Sequence, residues 1–97
     1  MMSGDRIEMR RLGDGAVYVF HRQSVAAGAP RYRRADKEIW IERDADFGWI
    51  VRDATDNSLM ARPWTVALRD QGATPPECDW VSRKGANAFV YQMVFAD

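Results

Sequence analysis

A single cysteine, Cys78, leaves this chain without an internal disulfide and without a cysteine-based zinc site. Histidine is as scarce, for His21 stands alone with no triad or dyad partner near it in sequence. Ser24 is close by, but serine chemistry needs an oriented third group and an oxyanion hole, and neither is signalled. Acidic and basic residues balance at 14 each, which removes the usual electrostatic ground for binding nucleic acid or an anionic membrane. No apolar run approaches the ~18–20 residues of a membrane span, and residues 1–15 carry no hydrophobic signal-peptide region. Low-complexity tracts, linkers and internal repeats are also missing. The chain therefore reads as soluble and intracellular, in a reducing compartment, or in an organelle after loss of a targeting segment.

What is present is aromatic. Ninety-seven residues suffice for one domain, and a chain of this size buries only about 60–65% of its unfolded surface, so its core is thin. Each large aromatic buries roughly 150–250 Å², which compensates. Trp40, Trp49, Trp64 and Trp80, with Phe20, Phe47, Phe89, Phe95, Tyr18, Tyr32 and Tyr91, are the expected core stock. Charge is unevenly distributed: residues 1–34 hold seven arginines against three acids, and residues 35–60 hold seven acids against three bases. Arginine outnumbers lysine twelve to two, which fits either genome composition or a preference for planar, bidentate cations at contacts.

The dominant hydrophobic period is two, the mark of half-buried strands. Residues 6–12 and 16–22 read as a first hairpin across Gly13-Asp14-Gly15, whose Asp-Gly step favours a tight turn. Residues 23–30 form a small-residue loop. Residues 31–34 lead into a strand over 37–43, where Ile39 and Ile41 alternate with Glu38, Trp40 and Glu42. If residues 44–47 form a four-residue turn, Trp40 lies opposite Val51 and shares a face with Trp49. The same turn length at residues 54–57 sets Val51 opposite Met60 and Trp49 opposite Arg62, within reach of a cation–π contact. Residues 64–68 fit a strand or one helical turn, and residues 70–77, with Gly72, Pro75 and Pro76, form a loop. A last hairpin joins residues 79–83 to 87–95 and sets Phe89, Tyr91, Met93 and Phe95 on one core-sealing face. The expected fold is all-β: an antiparallel meander of about six to eight strands curling into a small barrel or sandwich, with at most one helical turn.

Candidate chemistry is sparse. Asp44, Asp46 and Gly48 imitate the start of a calcium loop, as do Asp53 and Asp56, but position twelve from Asp44 is Thr55 and not the required glutamate. Aspartate and glycine are also what turns select. Arg31-Tyr32-Arg33-Arg34 has the composition of a phosphate or single-strand contact, although Asp36 and Glu38 follow closely and a charged strand edge explains it equally well. Trp40, between Glu38 and Glu42 on its own side of the strand, is either covered by another element or exposed as a contact residue.

Gly15-Ala16-Val17-Tyr18, Gly28-Ala29-Pro30-Arg31-Tyr32, Ile39-Trp40-Ile41, Gly48-Trp49-Ile50-Val51 and Pro75-Pro76 followed by Trp80 form an ordered series of short motifs. In this order the chain resembles small tryptophan-bearing β modules found alone or appended to larger protist and animal proteins. The resemblance implies a noncatalytic accessory or interaction domain, with no cofactor and no catalytic residues to carry over. The residues themselves point the same way, to a small protein-binding subunit or adaptor with a protein partner or a second copy as its ligand. Its expected contacts are Trp40, Trp49, Arg62, Trp64, Arg31, Arg33 and Arg34. The alternative is a small-ligand or carbohydrate module with an exposed tryptophan; a concave aromatic pocket would favour it, a flat apolar patch the protein partner.

Overall fold

A computed structural model describes residues 5–23, 30–84 and 87–96, and at 83, 84 and 87 the backbone alone. Most of the expected loop at 23–30 and of the turn at 84–86 lies outside the described residues. Eight strands follow one another: β1 Arg6–Arg11, β2 Val17–Gln23, β3 Arg31–Arg34, β4 Ile39–Asp44, β5 Gly48–Asp53, β6 Ser58–Pro63, β7 Asp79–Lys84 and β8 Asn87–Phe95. Each pairs antiparallel with the next, and β1 pairs with β8, so the meander closes into a barrel and leaves no free sheet edge among the described residues. A single 3-10 turn, Leu68–Asp70, interrupts the β6–β7 connection.

Closure sorts the side chains by parity. In β1, Ile7 and Met9 are buried while Arg6 and Arg10 are exposed; in β4, Ile39 and Ile41 are buried between Trp40 and Glu42. The core is built from Ile7, Met9, Phe20, Tyr32, Ile39, Ile41, Trp49, Val51, Ala61, Trp80 and Met93, with Tyr18, Tyr91 and Phe95 packed against it. The aromatic alternation of β8 thus faces inward as its pattern predicts. Outward positions carry ion pairs such as Arg10–Glu8, Arg31–Glu42 and Arg52–Asp44, the reverse of the apolar-out pattern of a membrane barrel. Among the described residues no helix is long and apolar enough to cross a membrane.

Turn chemistry sets the β4–β5 register one residue away from the four-residue expectation. Asp44 Oδ1 accepts the backbone N–H groups of Asp46 and Phe47 at 2.8 and 3.1 Å, and Gly48 adopts φ +73°, so Asp44 pairs with Gly48 across a three-residue turn. Trp40 therefore lies opposite Arg52, and Trp49 opposite Arg43. Since one step exchanges faces, Trp40 is outside the barrel and Trp49 inside. Between β5 and β6 the expected register holds for Asp53–Ser58 and Arg52–Leu59, then a bulge shifts it and Val51 meets Ala61 instead of Met60.

One end of the barrel is plugged. The β6–β7 connection crosses it, and Gln71 Oε1 accepts the Trp49 backbone N–H at 2.9 Å while Gly72 O accepts the Trp49 indole N–H at 3.0 Å. Pro76 O accepts the Trp80 indole N–H at 3.1 Å. Both buried tryptophans are thereby satisfied by the segment that covers them.

Candidate binding site at the open end of the barrel

The opposite end, where the β1–β2, β3–β4 and β5–β6 turns lie, has no such cover among the described residues. Strands β1, β2, β3 and β8 bring Arg11, Tyr18, Arg34, Phe89 and Tyr91 to its rim, in each case by continuing the inward parity that fills the core below. The result is a half-open cavity of about 670 Å³ floored by Met9, Phe20, Ile39, Val51 and Ala61. That volume lies within the range of small-molecule pockets, and eight strands are the number at which a barrel interior either fills with side chains or holds one small ligand.

Tyr18 is the centre of the aromatic wall. The Arg34 guanidinium carbon sits 4.4 Å from its ring centroid, that of Arg11 sits 5.8 Å from it and 5.2 Å from the Phe89 ring, and the Tyr91 ring packs at 6.1 Å. Both arginines are anchored by aspartates on the rim turns. Asp14 accepts Arg11 Nε and Nη2 at 3.0 and 2.6 Å, and Asp36 accepts Arg34 Nε and Nη2 at 2.6 and 3.1 Å. These forks hold the Asp14 carboxyl down at about 2, chiefly through Arg11 with help from the Ala16 N–H, and hold Asp36 below the usual carboxylate range through Arg34. Across the mouth, Asp53 and Asp56 line the cavity beside Ser58, but their oxygens cap the turn: Asp53 Oδ1 accepts Thr55 N–H and Oγ1–H, and Asp56 Oδ1 accepts Ser58 N–H. One wall carries Lys37 and two arginines, each paired with a turn aspartate, and the other carries Asp53 and Asp56.

No protein-family model, curated protein or solved structure matches the chain.

The residues expected as contacts scatter over the molecule. Trp49 is fully buried, so it belongs to the core and offers no surface; the one-residue change of register is the reason. Arg62 consequently lies over Phe47 at 5.7 Å and not over Trp49. Trp64, expected in the core stock as well as among the contacts, is 73% exposed because the chain leaves β6 at Pro63 and turns away from the interior. Phe47, also counted as core stock, is 47% exposed on the β4–β5 turn. Trp40 stands on the outer face, half-covered: Arg31 stacks on its ring at 4.2 Å and its indole N–H is directed at Glu38 Oε2, 3.3 Å away. Its surroundings are Arg31 of the adjacent strand β3 and Glu38 of the β3–β4 turn, a cation–π contact of roughly 0.5–1 kcal/mol included.

Within the arginine cluster, parity separates the members. Arg31 and Arg33 point outward, to Glu42 and Glu38, and only Arg34 turns into the mouth. His21 is exposed on the outer wall between Arg6 and Arg33. Among the described residues no three histidine, cysteine or acidic side chains converge as a metal would require. The cavity wall of Tyr18, Arg11, Phe89 and Tyr91 is the element that sequence reasoning missed as a site. The signal was the inward parity of Arg11 and Arg34, charged residues in phase with Met9 and Tyr32.

Proposed function

We propose that this protein is a noncatalytic binding module whose open barrel end receives one small molecule with an apolar, aromatic-compatible body. The observation that carries this reading is the concave mouth itself: about 670 Å³ walled by Tyr18, Phe89 and Tyr91, with Ser82 in its lining and the charged groups of Arg11, Arg34, Lys37, Asp53 and Asp56 around it. Above Met9, Ile39 and Val51 the apolar lining continues through Tyr18, Met60 and Tyr91, which pack on the core and still leave this space between the walls. The test is fluorescence titration with N-phenyl-1-naphthylamine, a neutral dye that brightens in apolar sites. Saturable one-to-one binding is expected. Ser58→Trp, at an exposed rim position, should weaken it at least about tenfold with the melting temperature unchanged. Binding indifferent to this block would remove the reading.

A second reading, docking of a protein partner or a second copy, is favoured by one specific feature. Trp64, Leu68 and Phe47 are 73%, 52% and 47% exposed, and all belong to the plugged end. Sedimentation of the wild type and Trp64→Arg over a range of concentrations, with and without cell extract, tests it; identical behaviour of the two would exclude this patch.

A further inference from the structure

We propose that the ligand of the open end is an anion, an aromatic or other planar apolar body bearing a carboxylate, whose acid group is received by Arg34 and Arg11 above the Tyr18 ring. This rests on the mouth being a small-molecule site and adds the chemistry of what it selects. Three observations support it. First, two guanidinium groups reach one phenol ring from the two strands that flank β2, at 4.4 and 5.8 Å, so a group placed against that wall meets both cations. Second, both arginines already hold planar carboxylates in two-point forks, which shows that their donor edges are presented in the geometry a carboxylate needs. A guanidinium has five N–H donors, and each fork engages only Nε and Nη2, although Arg11 also hydrogen-bonds Tyr91. Third, the forks are exchangeable: Asp14 and Asp36 are 56% and 62% exposed, while Arg11 and Arg34 are 23% and 16% exposed. The acids sit in water on turns, and an exposed pair of this kind contributes little to stability. The arginines are the fixed, sheltered half.

The opposite wall sets the orientation. Asp53 and Asp56 repel an acid group from the β5–β6 side, so the apolar body lies over Val51 and Ala61 and the charged end points to β2 and β3. Lys37, on the β3–β4 turn, adds a third cation to the receiving wall. Arg33, the neighbour of Arg34, faces outward to Glu38 and takes no part, which makes it an internal control.

The experiment compares two dyes that differ by one charged group: 8-anilinonaphthalene-1-sulfonate, whose sulfonate stands in for the carboxylate, and neutral N-phenyl-1-naphthylamine. The wild type should bind the anion about tenfold or more tightly than the neutral dye. Arg34→Gln should abolish that difference by weakening the anion alone, and Arg33→Gln should leave it intact. Asp36→Asn, which removes the internal competitor, should strengthen anion binding, and 1-naphthoate should displace the dye. Trp64→Ala reports any dye held at the plugged end and should change nothing. Equal affinities for the two dyes, untouched by Arg34→Gln but lost in Ser58→Trp, would overturn the anion assignment and leave the cavity reading standing. Failure of both dyes to bind saturably, or binding that survives Ser58→Trp, would overturn the cavity reading and the anion assignment together.

Discussion

Replacing Gly48 with alanine tests how firmly the plugged end is built. Gly48 opens β5 at φ +73°, a conformation that costs an L-residue roughly 1–2 kcal/mol. A Cβ there would also come within 2.5 Å of Gln71 Oε1 and of Leu68 Cδ1, so the ends of those two side chains have to swing away. Gln71 Oε1 is the acceptor of the Trp49 backbone N–H, and displacing it strands a donor in a half-buried place at about 1–3 kcal/mol. The expected total is about 2–5 kcal/mol. Gly15 supplies the control: its φ is +74°, and a Cβ added there meets nothing within 4 Å, so Gly15→Ala carries the conformational cost alone. In a domain of this size each kcal/mol moves the melting temperature by roughly 4–8 °C. Gly48→Ala should therefore melt roughly 10 °C or more below wild type and clearly below Gly15→Ala. Urea unfolding followed by tryptophan fluorescence gives the free energies, and adding Gln71→Ala should shrink the excess cost of Gly48→Ala because the collision is gone. Equal costs for the two glycine substitutions, within about 0.5 kcal/mol, would show that the connection does not pack on β5.

Other expectations follow from the same contacts. Trp49→Ala should cost about 3–5 kcal/mol in urea unfolding, because a wholly buried indole and its bond to Gly72 are lost, whereas Trp64→Ala should stay within about 0.5 kcal/mol. Stability should fall as pH drops through the acid range. Asp14, Asp36, Glu38 and Asp44 are all held below their ordinary carboxylate values in the fold, so their contribution is present above the unfolded values and disappears as each is protonated. For Asp14 that window runs from the usual carboxylate value down to about 2, and because the pair is exposed Asp14→Asn should flatten this part of a pH–melting curve only slightly. Ser58→Trp should block the mouth, and Arg34→Gln should remove its preference for anions, both read by dye titration.

The architecture was largely legible in the sequence because its signals are local. Alternation at Ile7–Met9, Ile39–Ile41 and along β8 marks inward faces without reference to partners, and the Asp-Gly and Asp-Asn turns bound the strands. Closure of β1 on β8 lies beyond such signals, since it joins the two ends of the chain. Register was less legible. Whether Asp44–Phe47 turns over four residues or three depends on one aspartate accepting two amides and one glycine taking a positive φ, and that single step put Trp40 and Trp49, expected on one face, on opposite faces. The candidate site was the least legible part. Nothing in the linear order of Arg11, Tyr18, Arg34, Phe89 and Tyr91 brings them together; the closed sheet does, and it also separates Arg34 from Arg33 and Arg31, which read as one cluster in sequence. Exposure of Trp64 depended on where the β6–β7 connection runs, which no periodic pattern states.

The most direct test of the open barrel end as a binding site is an amide chemical-shift titration of the isotopically labelled protein with 8-anilinonaphthalene-1-sulfonate. The shifts are expected to saturate together and to cluster at Arg11, Tyr18, Arg34, Val51, Phe89 and Tyr91, leaving Phe47, Trp64 and Leu68 unmoved. Shifts confined to Phe47, Trp64 and Leu68, or drifting without saturation across the surface, would contradict it.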